Sequence, residues 1–71
     1  MRIDSLELGK SFKVKSIKDK EKPILRKLSA MGLREGASGQ VLLKNGRVIL
    51  LRLNGSRLII DKEIAGFIEV A

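Results

Sequence analysis

The sequence predicts a mostly β fold, a small five-stranded barrel with one inserted α-helix. Three observations predict it. Apolar and polar residues alternate over short runs. Tight-turn dipeptides, Asn45-Gly46 and Asn54-Gly55, separate some of those runs. Only one stretch, near residues 24–31, carries apolar residues at helical spacing. The 71 residues hold one domain, 1–71, with no repeat, linker or low-complexity segment. A domain of this size buries only about 60% of its unfolded surface, so its core is thin. A closed or nearly closed sheet would also remove exposed strand edges.

Residues 1–9 read as an entry segment or short turn ending at Gly9, with Ile3, Leu6 and Leu8 apolar. From Ser11 to Lys18 the chain alternates, Phe12 and Val14 inward, Lys13 and Lys15 outward. Ile17 has the wrong parity, so the pattern predicts a bulge near Lys15-Ser16. The helix carries Ile24, Leu25, Leu28 and Met31 on one stripe. Asp19 is a candidate N-cap, with the start falling anywhere up to Pro23, and Gly32 is the stop. Gly36–Leu43 reads as the second strand, with Gly36 and Gly39 marking its start after the helix end. Val48–Leu53 is the third strand and Arg57–Ile60 the fourth. A capped turn at 61–65 follows, closed by Gly66, and Phe67–Val70 is the last strand.

The two-residue turns set an expected register. Leu51 opposes Leu58 and Ile49 opposes Ile60 on one face; Leu50 opposes Ile59 and Arg52 opposes Arg57 on the other. Val41 and Leu43 fall on this second face, against Leu50 and Val48. A simple barrel needs one apolar face, and here both are apolar. Either the helix or N-terminal segment covers the second, or a bulge shifts the register, or the face is an interaction patch.

Composition narrows the chemistry. There is no cysteine and no histidine. Disulfides and thiol or imidazole nucleophile pairs are therefore excluded, as are the usual ligands of zinc, copper and iron–sulfur centres. The eight Asp and Glu residues are scattered. Asp61 and Glu63 are too few to suggest a cation site, and Asp61 suits a helix cap. No glycine-rich phosphate loop is present. The expectation is a non-enzyme without a cofactor. No run is long and apolar enough to span a membrane and the N-terminus lacks a signal-peptide apolar region, so a cytoplasmic location is expected.

The net charge is +7. Lys10, Lys13, Lys15, Lys18, Lys20, Lys22, Arg26 and Lys27 face only Asp19 and Glu21 over one stretch. This field either keeps the domain soluble or attracts an acidic protein, nucleic acid or an anionic membrane. Specific nucleic-acid recognition is not expected. Single-strand binders need aromatic platforms, and the only aromatics are Phe12 and Phe67, both at core positions.

The pattern Leu6-x-x-Gly9, Val14, Ile17, Leu25-x-x-Leu28-x-x-Met31-Gly32-Leu33-x-x-Gly36, Val41, Leu51-x-Leu53-x-Gly55, Leu58, Ile60, Ala65-x-x-Ile68-x-Val70 resembles the ferrous iron transport protein A (FeoA) family. The Met-Gly-Leu-x-x-Gly element after an amphipathic helix is its most specific part. The resemblance implies an SH3-like barrel. It also implies a cytoplasmic accessory that binds FeoB, the membrane transporter of Fe(II) with a GTP-binding domain, and it supplies no catalytic residues. Family members often carry a longer loop between the second and third strands; here Lys44-Asn45-Gly46-Arg47 closes it tightly, so no docking role of that loop carries over. The module is also similar to the C-terminal domain of metal-dependent repressors. A stand-alone regulatory barrel binding nucleic acid or another protein is therefore the alternative function.

Two surfaces are candidates for the partner, with peripheral membrane proximity and self-association as further contacts. One is the helix and its stop: Leu25, Leu28, Met31, Gly32 and Leu33, with Leu25 and Leu33 expected at a groove rim. The competing reading is that these residues plug the barrel. In that case the partner surface falls to Val48, Leu50 and Ile59.

Overall fold

The computed structural model describes residues 1–71 as one five-stranded antiparallel sheet with two helices. After a 3-10 turn at Ile3–Ser5 come β1 (Ser11–Ile17), α1 (Pro23–Ala30), β2 (Ser38–Asn45), β3 (Val48–Leu53), β4 (Ser56–Asp61), α2 (Lys62–Ala65) and β5 (Ile68–Val70). The sheet order is β4-β3-β2-β1-β5. The mostly β, SH3-like arrangement is as expected, but closure is not. β4 and β5 are not hydrogen-bonded to each other, because α2 turns the chain so that the three-residue β5 pairs with β1. The expected bulge is present, as the β1–β5 register shifts between Val14 and Ser16.

Alternation builds the core. Phe12 and Val14 from β1, Ile49, Leu51 and Leu53 from β3, Leu58 and Ile60 from β4, and Ile68 and Val70 from β5 all face inward and are buried. Each such aliphatic side chain contributes about 1.5–3 kcal/mol on burial. Ile3, from the N-terminal segment, is fully buried with them. That segment also covers the outer edge of β5. Arg2 bridges to Glu69, and the Val70 N–H donates to the Met1 carbonyl at 2.7 Å. The Met1 ammonium hydrogen-bonds the Glu69 carboxylate at 3.0 Å and holds its pKa below the usual value. A carboxylate with a lowered folded-state pKa stabilises the fold at neutral pH, and the effect fades as pH falls through that lowered value.

Two corrections concern β2 and β3. Asn45 remains in the strand opposite Val48, so the turn residues are Gly46 and Arg47, one position later than expected. The register then shifts between Val41 and Leu43, which makes Leu42 the extra residue of a bulge. The bulge returns Val41 to the inner face opposite Leu51, where it is fully buried, and removes it from the second face.

The same register turns Lys44 toward the inner side opposite Ile49, at the rim of the core. Its stem packs apolar surface while its Nζ donates to the Asp4 carbonyl at 3.1 Å and the Leu6 carbonyl at 2.9 Å. Lys44 thereby ties the N-terminal turn to the sheet. Replacing it by methionine keeps the stem and removes both charge-assisted bonds; Lys44→Met is expected to cost about 1–2 kcal/mol, read as a lower urea midpoint.

Helix α1 starts later than the earliest position the sequence allows. Asp19 has a φ of 50° and its carbonyl accepts the Lys22 N–H at 2.9 Å, so it belongs to a turn rather than a cap. Lys22 occupies the cap position without a side-chain bond, and Pro23 takes the first helical position, where its missing N–H costs nothing. The stop is as expected. Gly32 has a φ of 110°, its N–H donates to the Ser29 carbonyl at 3.0 Å, and the Leu33 N–H donates to the Leu28 carbonyl at 2.9 Å. This double closure is a Schellman motif, and its apolar contact is the buried pair Leu28 and Leu33. Asp61 caps α2 by accepting the Glu63 N–H at 2.6 Å.

Candidate docking surface

The surface left by this fold has two apolar parts. On the outer face of the sheet, Val48 and Leu50 of β3 lie beside Leu43 of β2 and Ile59 of β4, because they alternate with the core residues Ile49 and Leu51. Leu43 is 51% exposed, Val48 40% and Ile59 66%, while Leu50 between them is half-buried. Neither the helix nor the N-terminal segment covers these residues. Around α1, the exposed apolar side chains are Ile24 at 44% and Met31 at 49%.

The rim placement of Leu25 and Leu33 is corrected, and the burial fits the competing reading in which these residues plug the core. Leu25, Leu28 and Leu33 are all buried, at 2%, 6% and 1% exposure, so none stands at a rim. The physical reason is the Schellman closure, which folds Leu33 back under the helix onto Leu28. A cleft of about 440 Å³ does lie at the helix stop, but Met31, Gly32, Arg34, Glu35 and Asn54 help line it, and Leu33 does not. Of the expected contact residues, the structure gathers Val48, Leu50 and Ile59 on one sheet face and puts Met31 and Gly32 at the separate helix-stop cleft.

The sequence puts Leu43 on the second apolar face, a candidate interaction patch, and Ile24 on the helix stripe; the structure leaves both exposed, although neither is among the named contact residues. Leu43 lies on the face the sequence gives it; that Ile24 and not Leu25 stays exposed is not legible, because a helical stripe cannot show which of its flanks is covered.

The charge is largely unneutralised. Lys20 meets Glu35 at 3.7 Å and Arg2 meets Asp4 at 3.2 Å, and the Met1 ammonium takes Glu69; no other ion pair forms. Lys13 and Lys15 project from β1 into solvent. Phe12 is buried and Phe67 is half-buried with the Lys22 ammonium 5.7 Å from its ring centre, so neither offers a free stacking face. No three Asp or Glu side chains come together as a cation site. Anaerobic titration with Fe(II) is accordingly expected to give no saturable one-to-one binding in the micromolar range, and such an isotherm would contradict this account of the donor set. No helix is long and apolar enough to cross a membrane.

Comparison with known proteins places this geometry. The FeoA domain model matches residues 1–71. The chain belongs to the FeoA family. The solution NMR structure of a FeoA protein from Chlorobium tepidum superposes with a TM-score of 0.91 at 30% identity, covering 99% of this chain and 68% of that one. A crystal structure of a protein described as an iron uptake regulatory protein (FeoA) superposes at 0.86, also at 30% identity, covering 99% of this chain and 93% of that one. No curated protein sequence matches the chain.

Proposed function

We infer that this FeoA-family chain is an accessory of ferrous iron uptake that acts by binding the cytoplasmic part of a FeoB-type membrane transporter. The observation that carries the reading is the family match over residues 1–71. The surface is consistent with a binding role, since an uncovered apolar face lies on a chain with net charge +7 and few ion pairs. Peripheral proximity to the membrane follows from the partner, and the basic residues suit an anionic environment.

The test pairs binding with physiology. The purified chain is titrated against the cytoplasmic region of a FeoB-type protein from the same organism, and the gene is used to complement an iron-uptake defect. Saturable binding together with complementation supports the reading; complementation without any association overturns it. The exposed lysines favour one second reading, phosphate contact by a stand-alone regulatory barrel. Tight, sequence-selective binding to DNA or RNA in the same titration would establish that reading instead.

A further inference from the structure

We propose that the outer edge of β4, with the apolar face beside it, accepts an extended acidic segment of a partner protein as a sixth strand. The inference concerns this chain's own surface and goes beyond the FeoB reading, because it holds for whichever protein supplies the segment.

The backbone comes first. β4 lies at the end of the sheet order, paired only with β3. Leu53 pairs with Ser56 directly across the two-residue turn, which makes that pair mutually hydrogen-bonded. Antiparallel alternation then turns Leu58 and Ile60 toward β3 and leaves the N–H and C=O groups of Arg57 and Ile59 pointing away from it. No turn, loop or side chain bonds them. The other sheet edge, β5, is covered by Met1 and Arg2. The fold therefore presents one open edge, and Ile59, the most exposed apolar residue of the sheet face at 66%, stands in the middle of it.

The charge identifies the occupant. Arg47, Arg52 and Arg57 are exposed, and none has a carboxylate partner. Arg52 and Arg57 are directly opposed across β3 and β4, a like-charge pair that costs stability in the free protein, and they border a shallow recess with Gly55 and Ser56. Arg52 turns to the Gln40 Oε1 instead. A carboxylate arriving beside Arg57 relieves that repulsion. Strand geometry then places the residue two positions further along the arriving segment beside Ile59, on the same face. The matching segment is thus acidic and apolar at alternate positions, in extended conformation. Strand addition to an open edge supplies affinity through the main chain and specificity through such alternate side chains. A second copy of the chain is disfavoured by the +7 charge each would bring.

The probe is a capped peptide, Thr-Glu-Thr-Val-Thr-Glu-Thr-Val-Thr, titrated into the full chain labelled with nitrogen-15; its control carries lysine in place of each glutamate. The acidic peptide is expected to shift the Arg57 and Ile59 amides and slow their exchange, and the basic control to do neither. Ile59→Pro removes an outward N–H that the β3 ladder does not use, a change edges tolerate, and should weaken binding about tenfold or more. Arg57→Glu guards against a folding artefact, since it replaces the repulsive pair with an attractive one; it should fold at least as stably as the parent and still bind about tenfold more weakly. Lys13→Glu, with the same change in net charge, should bind nearly as the parent does. The proposal is overturned if the shifts map to β1 or α1, if Arg57→Glu and Lys13→Glu weaken binding equally, or if folded Ile59→Pro binds unchanged. Absence of peptide binding at any attainable concentration overturns it as well. So does concentration-dependent dimerisation in sedimentation with Ile59 protected before peptide is added, which would assign the edge to a second copy.

Discussion

Gly39→Ala is expected to destabilise the domain by about 3 kcal/mol or more, a large part of the roughly 4–10 kcal/mol available to a chain this short. Gly39 sits in β2 at the centre of the sheet, opposite Phe12 on one side and Leu53 on the other. A Cβ there would clash with the Arg52 carbonyl oxygen, meet the Phe12 Cζ at 2.8 Å and the Leu53 Cδ2 at 3.0 Å. Phe12 and Leu53 are core residues at 4% and 5% exposure, so neither side chain has room to retreat, and the carbonyl belongs to the backbone of β3. Ordinary strand positions gain from Gly→Ala by about 0.5–1 kcal/mol, and the clash outweighs that gain. Thermal melts should show a fall of roughly 12–24 °C. Phe12→Leu removes the ring tip, so the double variant should lose less than the two single losses combined, a coupling expected only of residues in contact. A Gly39→Ala domain within about 0.5 kcal/mol of the parent would mean that β1, β2 and β3 do not approach as closely as described.

Gly39 also shows where sequence reasoning reached its limit. In the sequence it stands three residues after Gly36 and reads as punctuation between helix and strand. Its role as the floor under Phe12 depends on a contact across 27 positions of chain, which local pattern does not encode. Val41 makes the same point from the other side. Its placement on the outer face followed from counting residues back from Asn45-Gly46, and one small event undid it, a bulge at Leu42. The displaced turn moves both strands together and keeps parity, so Leu43 stays on the outer face; the bulge changes parity, and parity decides which face a side chain meets. By contrast, the β3–β4 register was legible in full, because both strands run without a bulge from a turn whose position Asn54-Gly55 determines. The helix stop was legible for a similar reason: the bonds of the Schellman motif close within six residues, so glycine chemistry and apolar spacing suffice to write it. What the helix faces was not. Whether Leu25 and Leu33 meet solvent or core depends on how far the sheet curls beneath α1, which is a property of the assembled strands. The open β4 edge was hidden too, since the expected closure of the barrel would have removed it.

Leu28→Ala is expected to cost about 2–5 kcal/mol, and to affect docking only through that loss. Leu28 is 6% exposed and makes the apolar contact of the helix stop with Leu33, itself 1% exposed. Truncation leaves a cavity between α1 and the sheet and slackens the turn that ends the helix. Met31, next to the stop, is 49% exposed, and Met31→Ala should cost about 1 kcal/mol or less because little of its side chain leaves water on folding. The two variants separate a structural helix from a contact helix. Urea titration sets the folded fraction of each, and binding to the FeoB-type cytoplasmic region is then compared at equal concentrations of folded protein. Both should bind as the parent does, while Arg57→Glu, fully folded, should not. That outcome assigns α1 to the core it plugs and leaves the outer sheet face as the docking surface. Weakened binding by folded Met31→Ala would move the partner to the cleft at the helix stop, where Gly32, Arg34 and Asn54 are its neighbours.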